Sequence, residues 1–151
     1  MQTILVASDA PTLRREVEAV ISGPDVTVDA VTSGPEVIAF VTREMPDLVI
    51  VDMQMGNMGA MAVCHELRLQ ESYDALEHVA VLMLLDRRPD VFLAKRSGAE
   101  GWLVKPLDPL RLRRAVNALI NEGTYFDDSY LPVPVLVGAG PQLETGNEPT
   151  N

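Results

Sequence analysis

Three polar residues stand at or just beyond the ends of short apolar runs. Asp9 follows Thr3-Ile4-Leu5-Val6-Ala7-Ser8, Asp52 follows Asp47-Leu48-Val49-Ile50-Val51, and Lys105 follows Gly101-Trp102-Leu103-Val104. Runs of this length fit buried strands, and in open parallel sheets ligands and chemistry collect outside the carboxyl ends of the strands. Two carboxylates and one amine from three strand ends can therefore converge on one pocket. Carboxylates are hard-cation ligands or nucleophiles, and a fixed ammonium neutralises negative charge developing beside them. Each residue also has a plainer role: Asp9 and Asp108 as helix caps, Lys105 as a solvated charge, Asp52 as the start of a loop.

The elements that would position these residues alternate regularly. Strands are expected near 3–8, 26–31, 47–52, 79–85 and 101–104, and helices near 11–22, 34–45, 59–71, 89–97 and 107–121. Helix starts are marked by Asp9 or Ala10 before Pro11, by Ser33 before Gly34-Pro35, and by Asp108-Pro109, because proline fits the first helical turn, where its missing N–H costs nothing. Leu48–Val51 is apolar without alternation, as a strand covered on both faces requires. Five βα units imply a flavodoxin-like, doubly wound, five-stranded parallel sheet wrapped by five helices, with right-handed crossovers and a C-terminal tail.

The 151 residues suit one domain, with 47% hydrophobic and 23% charged residues as in ordinary globular proteins. A net charge of −10 and a pI near 4.5 argue against direct binding to nucleic acid or an anionic membrane. The lone Cys64, with only His65 and His78, speaks against a disulfide or a zinc site and agrees with a reducing cytoplasm. No apolar stretch is long enough to span a bilayer, and no basic leader precedes the first apolar run. Residues 1–121 are expected to form the domain and 122–151 a tail. From 123 to 151 there are acids but no Lys or Arg, with Pro132, Pro134, Pro141 and Pro149 among them. The segment Leu131–Val137 is apolar but broken by proline, which leaves two readings: a flexible end, or an extended segment that docks on this molecule or a neighbour.

Three stretches resemble the signatures of the response-regulator receiver domain, the CheY-like family: Ile4-Leu5-Val6-Ala7-Ser8-Asp9, Val49-Ile50-Val51-Asp52-Met53-Gln54-Met55 and Gly98-Ala99-Glu100-Gly101-Trp102-Leu103-Val104-Lys105-Pro106. The resemblance covers residues 1 to about 121. It implies two-component signalling in which Asp52 accepts a phosphoryl group from a sensor histidine kinase or phosphotransfer protein. It further implies Mg²⁺ held by Asp9, Asp52 and the backbone carbonyl of Gln54, with Lys105 on a phosphoryl oxygen and aimed by a Lys105–Pro106 bond that is cis in many receivers. A downstream protein target is implied, and the fourth helix, fifth strand and fifth helix form the expected docking or homodimer face.

Several positions depart from the family pattern. Ser8 replaces the first acid of the usual pair, which removes a charge from the pocket and weakens expected metal affinity. Leu85 replaces the Thr or Ser whose hydroxyl donates to the phosphoryl group, and leucine has no donor. Trp102 replaces the smaller rotating aromatic, and its bulk opposes an inward swing in a closely packed interior. In the loop after Asp52, Gly56 falls at a usual proline and Ala60 at a usual glycine, so Gly59 is expected to supply any positive φ required there. Met53, Met55, Met58 and Met61 read as adaptable packing. The loop Asp86–Asp90 is short; its Arg87 either leans over the pocket or is solvated, and Arg111, Arg113 and Arg114 form a basic patch or complement nearby acids.

Two functions of different class remain open. One is a stand-alone cytoplasmic response regulator, without a DNA-binding output domain, that is phosphorylated at Asp52 and acts through protein contacts; it is a phosphoacceptor and not a turnover enzyme. The alternative is a phosphorylation-independent pseudo-receiver serving as a constitutive interaction module, favoured by Ser8, Leu85 and Trp102. A hydrolase or nucleotide-binding enzyme is disfavoured: Ser8-Asp9-Ala10-Pro11 stands where a Gly-rich loop would be, and Gln54 stands where a phosphatase would need its general acid.

Overall fold

A computed structural model describes residues 1–129. Six parallel strands lie in the order β2-β1-β3-β4-β5-β6. The strands are β1 (Gln2–Ala7), β2 (Val26–Val31), β3 (Leu48–Asp52), β4 (Ala80–Leu85), β5 (Gly101–Val104) and β6 (Tyr125–Phe126). Between them run α1 (Pro11–Ile21), α2 (Gly34–Arg43), α3 (Ala60–Ser72), α4 (Asp90–Lys95) and α5 (Pro109–Ile120). The flavodoxin-like architecture is as expected, with one strand more than the five foreseen.

The two-residue period of the strands divides the core into two halves. Leu5, Val49, Val51, Val81, Met83, Leu85 and Trp102 face the layer of α2, α3 and α4. Ile4, Val6, Leu48, Ile50, Leu82, Leu84 and Leu103 face α1 and α5, where Leu13, Val17, Leu112, Val116 and Leu119 meet them. Every residue of β3 is buried, which explains why that strand shows no polar alternation. The four methionines after Asp52 pack against the first half of the core, in line with their reading as filler.

Helix starts follow the sequence signals unevenly. Ala10 is the N-cap of α1 and Asp9 caps nothing, whereas Asp108 caps α5 by accepting from the Leu110 N–H at 3.1 Å. α4 spans six residues, shorter than 89–97. The positive φ after Asp52 belongs to Asn57 at 79°. Gly59, expected to supply it, is extended with φ −84°, and its glycine is required for another reason: an added Cβ would stand 2.5 Å from the Met53 carbonyl oxygen.

β6 follows from local chemistry that its length hides. Tyr125 N–H donates to the Glu100 carbonyl and Asp127 N–H to the Trp102 carbonyl, both at 3.1 Å. The Asp127 carboxylate then accepts from Val104 N–H at 2.9 Å, standing in for the next carbonyl of the ladder. Gly101 makes room, since a Cβ there would approach the Tyr125 carbonyl oxygen to 2.6 Å. The face formed by α4, β5 and α5 thus carries an additional strand, and ordered structure continues beyond residue 121. The segment Leu131–Val137 lies outside the described residues.

Candidate phosphoacceptor site

Ser8, Asp52, Asp86 and Lys105 meet at the carboxyl edge of the sheet. β1 and β3 are adjacent, with Ala7 paired to Val51, so the next residues of the two strands face one another. Ser8 Oγ donates to Asp52 Oδ2 at 2.7 Å and accepts from Ala10 N–H at 3.0 Å, satisfying a wholly buried hydroxyl. The short loop after β1 is tied down by Arg14, which donates to the Ser8 carbonyl at 2.6 Å. Lys105 follows β5, whose Val104 pairs with Leu85 of β4. Its Nζ donates to Asp52 Oδ1 at 2.7 Å and to Asp86 Oδ1 at 2.8 Å. The Lys105–Pro106 peptide is cis.

The electrostatics follow from these contacts. Burial alone would depress the Lys105 pKa, but the hydrogen bonds and charges of Asp52 and Asp86 outweigh it and hold the amine above the usual 10.5. Asp52 is 3% exposed and engaged at both oxygens. A buried carboxylate with an ammonium and a hydroxyl as donors is held in one orientation, and it shares that ammonium with Asp86.

Asp9 lies on the outer side of the same loop cluster. It is exposed, and its Oδ2 accepts from Gly56 N–H at 2.9 Å. The carboxylates of Asp9 and Asp52 therefore border the loop that also carries Gln54, itself exposed. Among the described residues, no three His, Cys, Asp or Glu side chains gather closely enough to enclose a metal. Two carboxylates and a carbonyl are nevertheless the hard oxygen donors that Mg²⁺ takes while keeping several waters, so the donor chemistry fits a partly hydrated ion. The resemblance to receiver domains, which typically bind Mg²⁺ at an acidic pocket, is the reason to weigh that ion.

The altered positions occupy defined places. Leu85 is fully buried in the core half facing α3 and α4. Trp102 is 5% exposed, and its ring stacks against Phe126 of β6 with centroids 4.4 Å apart and planes tilted by 31°. Arg87 is solvated, its side chain 70% exposed and 3.8 Å from Asp90. Arg111 is not part of a free patch, because it pairs with Asp127 at 3.1 Å and Asp108 at 3.5 Å.

Sequence reasoning missed three acids. Asp86 directly follows β4, and so obeys the strand-end rule that singled out Asp9 and Lys105. Asp90 is buried and accepts from the N–H groups of Asp86 and Arg87 at 3.1 and 3.0 Å, closing the short loop; an acid four residues after another was the available signal. Asp127 is buried against Val104, Arg111 and Ser129, and nothing in its sequence surroundings announced it.

A doubly wound parallel sheet with an acidic residue, a buried aspartate and a lysine at its carboxyl edge defines a receiver. The chain belongs to the response regulator receiver domain family, whose model matches residues 4–117. It is 27% identical over 120 residues to the protein PilH of Pseudomonas aeruginosa, covering 80% of this chain and 98% of that protein. It is 29% identical over 149 residues to the response regulator PleD of Caulobacter vibrioides, covering 93% of this chain but only 32% of PleD. Among solved structures, the chemotaxis response regulator CheY4 of Vibrio cholerae superposes with a TM-score of 0.69 at 26% identity, covering 79% of this chain and 98% of that one. The receiver domain of a signal transduction histidine kinase from Syntrophus aciditrophicus gives 0.72 at 26% identity, with 81% and 92% covered. Receiver domains are phosphoacceptors and generally not turnover enzymes. Among the described residues, no helix is long and apolar enough to cross a membrane.

Proposed function

We propose that this receiver accepts a phosphoryl group at Asp52 from the phosphohistidine of a sensor kinase or phosphotransfer protein and acts by contact with a downstream protein. The observation that carries this reading is the 2.7 Å contact of Lys105 Nζ with Asp52 Oδ1 at the carboxyl edge of the sheet. A carboxylate oxygen of Asp52 attacks phosphorus, the P–N bond of the donor breaks, and its electron pair returns to the imidazole ring, which regains a proton from solvent. Catalysis of such a transfer is mainly positioning and charge neutralisation. Lys105 supplies one positive charge to the equatorial oxygens, and Ser8 holds the other carboxylate oxygen in line. Asp9, Asp52 and the Gln54 carbonyl would hold Mg²⁺, which supplies further charge neutralisation when bound. With Ser8 in place of an acid, its affinity is low.

The protein so read is a cytoplasmic phosphoacceptor without turnover. Its net charge of −10 favours protein partners over direct contact with nucleic acid or membrane. A homodimer or docking partner on the α4–β5–α5 face would meet β6 and Phe126 there. Incubation with acetyl phosphate and Mg²⁺ tests the reading. A mass gain of one phosphoryl group in the wild type, absent in Asp52→Asn, is expected; no gain in either favours a constitutive interaction module. That second reading draws on buried Leu85, which offers no hydroxyl, and on Trp102, already enclosed by Phe126.

A further inference from the structure

Lys105 serves two carboxylates, and only one of them belongs to the proposed acceptor. Asp86 takes the second hydrogen bond at 2.8 Å, while its other oxygen, Oδ2, is buried without a hydrogen-bond partner among the described residues. An unpaired buried carboxylate oxygen is costly and gains hydration if the side chain swings outward. The backbone of Asp86 is tethered elsewhere: its N–H and that of Arg87 both donate to Asp90 in the first turn of α4. Asp86 thus ties the Lys105 amine to the loop that leads into α4, the helix whose Phe92 and Leu93 are 69% and 44% exposed.

A phosphoryl group on Asp52 brings additional negative charge to an ammonium that already carries two anionic partners. The two carboxylates are not held equally. Asp52 is enclosed, with 5% of its side chain exposed and a second anchor in Ser8, whereas the Asp86 side chain is 32% exposed and, among the described residues, anchored through Lys105 alone. Repulsion between the arriving group and Asp86 is therefore relieved by moving Asp86.

We propose that Asp86 is a displaceable anionic gate: at rest it occupies the Lys105 donor that a phosphoryl oxygen takes, and the arriving group expels it and loosens the β4–α4 loop. In this chain the gate links chemistry to the surface at the point where Leu85 offers no hydroxyl. The inference rests on Asp52 being the phosphoacceptor. Asp86 acts through Lys105 and is a positioning residue.

Beryllofluoride binding in the presence of Mg²⁺ tests the gate on the full chain, read by fluorine NMR of the bound group in wild type, Asp86→Asn and Asp86→Ala. Removing the competing charge should tighten binding by about fivefold or more. Amide exchange at Asp86 and Arg87 should accelerate on beryllofluoride binding in the wild type. Equal affinity in all three proteins, or unchanged exchange at both amides, overturns the gate while leaving the acceptor reading intact. No bound fluorine signal in any of them overturns both.

Discussion

At the scale of single residues, Ser8 decides the character of the pocket. Its hydroxyl donates to Asp52 Oδ2 at 2.7 Å, where a carboxylate would repel. Ser8→Asp should lower stability by about 1–2 kcal/mol without metal, from two like charges in contact at a buried site. Mg²⁺ should then raise the melting temperature of the variant much more than that of the wild type, and an equal response in both would contradict this account. Lys105→Met leaves Asp52 and Asp86 without their shared cation and should cost about 2 kcal/mol at neutral pH. Because the folded Lys105 pKa lies above 10.5, its stabilisation is fully present below the unfolded value and disappears as pH rises through the folded one. Urea midpoints of wild type and variant should therefore stay apart from neutral pH to about pH 10 and converge only above it.

At the scale of elements, β6 shows how little chain can extend a sheet when its end is well capped. Two residues pair with β5, and the strand is secured by Asp127, which receives Val104 N–H, Ser129 N–H and the Arg111 guanidinium. Burial would raise the Asp127 pKa, but these donors outweigh it and leave the carboxyl below its ordinary 3.8. Asp127→Ala strands the Val104 N–H and should cost about 2 kcal/mol. The sign is opposite to that of Lys105: the stabilisation is present above the unfolded carboxylate pKa and is lost as pH falls through the depressed folded value. The gap between wild type and variant in urea denaturation should narrow in acid below about pH 4, and a gap that widened there would refute the assignment.

At the scale of the whole molecule, the same strands supply both halves of the core, with Leu5, Val49 and Met83 on one side and Ile4, Ile50 and Leu84 on the other. Neither half can lose its sheet without exposing the other, so unfolding should be one cooperative transition. Fluorescence of Trp102, the only tryptophan, and far-UV circular dichroism should trace the same urea curve. Separate midpoints would mean that the β5–β6 edge opens independently. The net charge of −10 adds a long-range field, so association with any partner protein of opposite charge should slow with added salt.

The sequence by itself determined five of the six strands, the order of the helices and the three strand ends carrying Asp9, Asp52 and Lys105, because apolar period and strand-end position are local signals that survive without coordinates. The identity of Ser8, Leu85 and Trp102 was equally legible, but their consequences were not. Only tertiary structure decided that Ser8 binds Asp52, that Asp86 shares the lysine, and that Phe126 covers Trp102. Asp86 and Lys105 are 19 residues apart and Val104 and Asp127 are 23 apart. The register of neighbouring strands brings these groups within hydrogen-bond reach, and no pattern along the chain encodes that distance.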